Sequence, residues 1–202
     1  PLSDLCARAY NMLARDFSLP PVKIFLEKDI PVGAGLGGGS ADAAFPLLAL
    51  NELAGLGLDK ETLATYAARL GSDCAFFIYN RPMLGEGRGE KLAPFSLDLE
   101  GYELKVVVPE GVSVSTKEAY SGIIPREKDG FILPEGIEDL PLSLAAARPV
   151  EQWKNFIVND FEPSVFARCP NLAAIKQSLY DTGAAYASMS GSGSALFGIY
   201  RK

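Results

Sequence analysis

The sequence contains no histidine, and this absence narrows the chemistry before any motif is read. Without imidazole there is no Ser-His or Cys-His nucleophile and no His-ligated metal, so acid–base work falls to Asp, Glu, Lys or Tyr. Cysteine is scarce. Cys6, Cys74 and Cys169 are widely spaced and form no C-x-x-C pair, which reads as reduced thiols in a cytoplasm, not as a disulfide framework or zinc site. Positive charge is in deficit, 19 Lys and Arg against 25 Asp and Glu for a net charge of -6, and a nucleic-acid partner would demand clustered cations. No apolar run approaches the roughly 20 residues of a membrane span, and no signal peptide is visible, so no membrane partner is expected. The chain opens at Pro1 without an initiator Met, which reads as a trimmed portion of a longer protein. What remains is ordinary: 202 residues, 48% hydrophobic and 22% charged, enough for one large domain or two small ones.

Glycine is abundant, and it is concentrated. Residues 31 to 44 read Pro-Val-Gly-Ala-Gly-Leu-Gly-Gly-Gly-Ser-Ala-Asp-Ala-Ala, with five glycines in the seven positions from Gly33 to Gly39. Glycine lacks a Cβ, so its N–H can approach an anion closely. The helix expected from about Ser40 to Leu53 adds unpaired N–H groups and the positive end of its dipole. Pro31, Gly33, Ala34, Gly35, Leu36, Gly37, Gly38, Gly39 and Ser40 therefore read as a phosphate cradle; the plainer alternative is a turn with Ser40 as N-cap. Two familiar phosphate motifs fail here. Gly33 to Gly38 matches G-x-G-x-x-G, but Pro31 interrupts the approach and Asp59, at the distance of the ribose acid, falls in a turn before another helix. A Walker A motif would put its lysine at Gly39.

Periodicity sketches the rest. A helix is expected over 3–17, capped by Ser3 or Asp4, then a strand over Val22 to Glu27. Pro46 predicts a kink in the Ser40–Leu53 helix, at a cost on the order of 3 kcal/mol. Asp42 reads as a helix-cap or loop-bracing residue, with a supporting role near a metal as the alternative. Asp59 should cap a helix over 60–70. Asp73 stands at the mouth of an apolar strand running to Ile78, and Gly85 to Glu90 reads as a tight turn between edge strands. A strand is expected over 104–108, and Ser115 to Glu118 reads as a capping box. Residues 122–148, with Pro125, Pro134 and Pro141, read as irregular connection. Helices are expected over 150–158 and 171–181, the last ended by Gly183. Between them, Asn159-Asp160-Phe161-Glu162 reads as a capped polar turn. Strands over 185–189 and 195–200 flank Ser190-Gly191-Ser192-Gly193-Ser194, by itself a flexible hairpin turn.

Three motifs in order carry a resemblance: Gly35-Leu36-Gly37-Gly38-Gly39-Ser40-x-Asp42-Ala43-Ala44, then Asp73 in Gly-x-Asp-x-x-x-Phe, then Met189-Ser190-Gly191-Ser192-Gly193. Together they resemble the GHMP kinases, the superfamily of galactokinase, homoserine kinase and mevalonate kinase. The Gly85–Glu90 turn and Asn159 to Glu162 resemble further segments of that family. The resemblance implies an α+β, two-lobed GHMP kinase fold, with an incomplete N-terminal lobe over 1–98 and a ferredoxin-like C-terminal lobe over 99–202. It also implies an ATP-dependent, cytoplasmic kinase acting on the hydroxyl of a small molecule, with ATP phosphates on the glycine loop and Mg²⁺ as metal. In that reading Ser40 meets a phosphate or the metal, Asp73 is catalytic, and Ser190, Gly191, Ser192 and Gly193 steady the cradle. The triple glycine points to the branch serving non-mevalonate isoprenoid precursor synthesis; a homoserine or mevalonate type kinase, or a non-catalytic nucleotide-binding module, are the alternatives. The family's first motif, an N-terminal Pro-x-Lys-x-Asn-like stretch, has no counterpart, and Lys23 and Lys28 lie in another context. The catalytic lysine and substrate-holding residues are therefore expected upstream of Pro1. Alone, these residues are expected to lack turnover and to be unstable or to self-associate along an edge of the Val22 to Glu27 type.

Overall fold

A computed structural model describes residues 4–124 and 135–202, which fall into two compact units: residues 4–32 with 37–96, and residues 33–36 with 97–124 and 135–202. Ser3, Pro125 and Pro134 lie outside the described residues.

The first unit holds four helices, α1 (Leu5–Leu13), α2 (Gly38–Leu53), α3 (Lys60–Ala68) and α4 (Cys74–Tyr79), and an antiparallel hairpin of β1 (Met83–Glu86) and β2 (Lys91–Pro94). Short acidic side chains start two of the helices, because an N-cap carboxylate can accept from N–H groups that have no intrahelical partner. Asp4 accepts from Cys6 and Ala7 at 2.9 and 3.2 Å, and Asp59 from Thr62 at 2.8 Å. The core gathers residues at helical spacing: Ala9 and Leu13 of α1, Ala43, Leu47 and Leu50 of α2, Leu63 and Ala67 of α3, Cys74 and Ile78 of α4.

Pro46 sits inside α2, which nonetheless runs unbroken from Gly38 to Leu53. A proline has no N–H for the carbonyl four residues back, here that of Asp42. The Cys6 thiol takes the vacant place, donating to that oxygen at 3.2 Å. A buried cysteine of α1 thus satisfies the group that the proline of α2 orphans.

Several expectations are corrected in this unit. The plainer alternative of Ser40 as N-cap of α2 does not hold, since Gly37, at φ +70°, has that place and Ser40 is the third residue of the helix; Asp42, the fifth, is no cap either. Val22 to Glu27 forms no strand. Alternation assigns faces, but a strand also needs a partner's N–H and C=O groups, and none of the described residues supplies them. Ile24, Phe25 and Leu26 are 46%, 91% and 46% exposed. The apolar run after Asp73 is α4, not a strand. Short apolar runs fit either period, and here the helical one buries Cys74, Ala75 and Ile78 together.

The second unit starts with β3 (Tyr102–Val107) and α5 (Thr116–Ser121), continues through α6 (Leu142–Ala146), a 3₁₀ helix at Val150–Asn155, α7 (Glu162–Arg168) and α8 (Pro170–Asp181), and ends with β4 (Tyr186–Met189) and β5 (Leu196–Arg201). The strands form an antiparallel sheet in the order β3-β5-β4, with Tyr186 opposite Ile199 and Met189 opposite Leu196. Period-two alternation gives each face its own core. Ala187, Met189, Leu196 and Tyr200 pack with Val165, Leu172 and Leu179 of α7 and α8, while Tyr186, Phe197 and Ile199 pack with Val150 and Trp153.

Here too the outcome differs in places. The helix expected over 150–158 is a 3₁₀ helix ending at Asn155, α6 interrupts the supposedly irregular 122–148 stretch, and α7 was not anticipated. Ser115 caps α5 as expected, accepting from the Glu118 N–H at 3.4 Å, but the Glu118 carboxylate turns to Arg168 at 3.6 Å, so only half of the reciprocal box forms.

Candidate functional site

The first turn of α2 is where the glycine stretch becomes chemistry. Its first intrahelical bond runs from the Ala41 N–H to the Gly37 carbonyl at 2.9 Å, which leaves the N–H groups of Gly38, Gly39 and Ser40 with no intrahelical acceptor. No side chain caps them. Neither Gly38 nor Gly39 has a left-handed φ, and a Cβ would meet only Ile30 at 3.5 Å and the Lys28 Nζ at 3.8 Å from the first, or Leu5 at 3.8 Å from the second. Packing among the described residues therefore does not require glycine at either place. The space these missing side chains leave, beside three N–H donors and the positive end of a 16-residue helix, fits phosphate oxygens.

Gly37 differs, because its φ is +70° and a Cβ would stand 2.7 Å from the Phe77 ring of α4. Burial pushes the Cys74 thiol of the same helix up, and the nearby Ser40 hydroxyl draws it partly back. Asp73 directly precedes Cys74, is exposed, and makes no capping bond through its side chain. A Cβ on Gly89, in the turn between β1 and β2 at φ +102°, would lie 2.8 Å from the Asp73 Oδ1. Glycine at 89 lets the hairpin backbone rest against this carboxylate. Asp73 and the first turn of α2 are thus drawn to neighbouring places in the first unit.

Gly33 to Leu36 belong to the second unit and meet the other glycine loop there. The Ser190 Oγ donates to the Gly35 carbonyl at 2.8 Å, and the Ala195 N–H to the Ala34 carbonyl at 2.9 Å. Gly35 adopts φ +77°, and a Cβ would stand 2.1 Å from the Ser190 carbonyl oxygen and 3.0 Å from that of Gly193. Ser192 meets Thr116, hydroxyl to hydroxyl, at 3.3 Å. Pro31 is exposed and Ala34 is buried.

Sequence reasoning passed over three residues. Lys28 was set aside for lying outside a motif, yet it pairs with Asp42 and its ammonium stands beside Gly38. Asn159 and Glu162 read as a polar turn, yet Asn159 Nδ2 donates to the carbonyls of Met189 and Gly191, each at 2.8 Å. The buried Glu162 accepts from the Met189 N–H at 2.8 Å. Only spatial neighbours reveal these roles. Among the described residues no group of three or more His, Cys, Asp or Glu side chains could hold a metal, so a divalent ion here would draw on phosphate oxygens as well as protein.

Residues 4–81 match the family described as GHMP kinases N terminal domain, and residues 143–202 that described as GHMP kinases C terminal. The chain is 51% identical over 200 residues to the 4-diphosphocytidyl-2-C-methyl-D-erythritol kinase of Bacteroides fragilis, covering 99% of this chain and 69% of that protein. It is 37% identical over 208 residues to the protein of the same name from Nitratidesulfovibrio vulgaris, covering 100% and 70%. A crystal structure of 4-(cytidine 5'-diphospho)-2C-methyl-D-erythritol kinase matches with a TM-score of 0.76 at 34% identity, over 98% of this chain and 69% of that one. Homoserine kinase from Cytophaga hutchinsonii matches with a TM-score of 0.62 at 21% identity, over 87% and 59%, a likeness of fold alone.

Proposed function

Because the chain belongs to the GHMP kinase family, we propose that it catalyses the ATP-dependent phosphorylation of a hydroxyl of 4-diphosphocytidyl-2-C-methyl-D-erythritol, a step of non-mevalonate isoprenoid precursor synthesis. The observation that carries the reading is the first turn of α2, where glycines that packing does not require leave three N–H donors open. The substrate rests on the 51% identity to a kinase of that name.

Phosphoryl transfer asks a protein mainly to position the reactants and neutralise charge. The N–H groups of Gly38, Gly39 and Ser40 hold the phosphates in place of the missing Walker lysine, and Lys28, paired with Asp42, brings a cation beside Gly38. Mg²⁺, when bound with ATP, would supply charge neutralisation at the phosphates, and the Ser40 hydroxyl would be the residue to meet it or a phosphate oxygen. Asp73 orients the acceptor alcohol or takes its proton, the role left to a carboxylate in a chain without histidine. The loop from Ser190 to Gly193 braces Gly35. The three cysteines, none of them in a disulfide, support a reducing cytoplasm as the setting.

The test measures ADP release by full-length protein with ATP and Mg²⁺, offering 4-diphosphocytidyl-2-C-methyl-D-erythritol, homoserine or mevalonate as acceptor. Turnover with the first alone is expected. Preference for either of the others overturns the substrate, and a protein that binds no ATP overturns the kinase reading.

A further inference from the structure

We infer that Asn159 is a positioning residue for the nucleotide site, one that touches no nucleotide and acts through the loop from Ser190 to Gly193. The inference rests on the kinase reading above.

The Asn159 side chain is fully used. Its Nδ2 donates to the carbonyls of Met189 and Gly191, both at 2.8 Å, and its Oδ1 accepts from the Phe161 N–H at 2.9 Å, which fixes the amide's orientation. Both carbonyls flank Ser190, so the amide clasps the chain on either side of the residue whose hydroxyl holds Gly35. Glu162, 8% exposed, locks the same strand end from behind: one oxygen takes the Met189 N–H at 2.8 Å and the Ser188 hydroxyl at 3.2 Å, while the other takes the Lys176 ammonium at 2.5 Å. The chain of contacts runs from α8 through Glu162 and Asn159 to Ser190, and from Ser190 to Gly35, two residues ahead of the N-cap of α2. Gly35 has no slack, since the Ser190 and Gly193 carbonyls stand where a Cβ would be. A shift of Met189 to Gly191 must therefore move Gly35. Replacing the amide with a carboxylate, Asn159→Asp, removes both donors and sets negative charge against two carbonyl oxygens at nearly constant volume.

The experiment compares wild type, Asn159→Asp and Ser190→Ala in full-length protein. It reads ATP affinity by calorimetry, the KM for each substrate, the unfolding midpoint, and amide hydrogen exchange in the segments around Ala34 and Ala195. Asn159→Asp is expected to raise the Kd and KM for ATP at least 10-fold, leave the acceptor KM within 2-fold, and speed exchange at Ala195, whose N–H bonds Ala34. Ser190→Ala, which removes only the bond to Gly35, should weaken ATP in the same direction, and the double variant should lose less than the product of the two. Should Asn159→Asp fail to fold, Asn159→Ser takes its place with the same expectations. A loss confined to kcat that tracks the folded fraction, or an unchanged ATP Kd, overturns the positioning role while the kinase reading stands. Wild-type protein that binds no ATP overturns both.

Discussion

Replacing Gly38 with alanine separates a phosphate cradle from a plain helix cap. At this position φ is not left-handed, and the added methyl would find Ile30 at 3.5 Å and the Lys28 Nζ at 3.8 Å, both ordinary contacts. Folding therefore meets no clash, and alanine exceeds glycine in a helix interior by about 0.5–1 kcal/mol, less in a first turn. At roughly 2–4 °C per kcal/mol for a chain of this size, the melting temperature should stay level or rise by a degree or two. Nucleotide binding faces the opposite outcome. Phosphate oxygens must come within about 3 Å of the N–H donors of the first turn, and a methyl planted beside those donors holds them away. Losing one hydrogen bond to a charged phosphate costs about 1.5–3 kcal/mol, which is roughly 10- to 150-fold in Kd. Calorimetry with ATP at fixed Mg²⁺, paired with thermal unfolding of the same preparation, reads both quantities. An unchanged Kd in a protein of unchanged melting temperature would refute the reasoning and return the glycines to the status of a turn.

Gly35→Ala should do the reverse and unsettle the fold. Its Cβ would stand 2.1 Å from a backbone oxygen at φ +77°, so left-handed strain of about 1–2 kcal/mol adds to the loss of the Ser190 bond; a melting temperature equal to wild type would show that the loops do not meet this way. Asp73→Asn should lower kcat by roughly 10²-fold or more while leaving the ATP Kd within about 3-fold. Near-normal turnover would remove Asp73 from the reaction. Burial pushes both the Cys6 and Cys74 thiols up from the ordinary 9.0, so Cys169, only partly buried, should be alkylated first at pH 8; equal rates at all three would contradict the packing. Since both thiols stay neutral in the fold past the pH at which unfolded thiols ionise, their contribution is present below about pH 9 and is lost as pH rises further, which chemical denaturation at pH 8 and 10 would record.

Local chemistry was legible in the chain. Asp4 and Asp59 cap helices through partners two or three residues away, and the five glycines single out the stretch proposed as the cradle. What escaped depends on distant residues. Val22 to Glu27 alternates like a strand but lacks a partner among the described residues, and the run after Asp73 is too short for its period to tell helix from strand. The glycines are also not equivalent, which spelling alone could not reveal: Gly35 is dictated by a loop far along the chain, Gly37 by a phenyl ring, and Gly38 by nothing among the described residues. Lys28 and Asn159 were passed over for the same reason, since each is read only by what lies beside it in space.

The hydrogen bond between Ser190 and Gly35 spans 155 positions of the chain. A ribosome adding about 5–20 residues per second reaches Ser190 roughly 8–30 seconds after Gly35 has been made. Through that interval Gly33 to Leu36 wait for the structure they lean on, however well α2 has already formed behind them. A nascent chain stalled anywhere in between holds every glycine of the cradle and no support for its leading edge. Whatever part of the proposed nucleotide binding depends on that support can therefore develop only once the closing hairpin has been made.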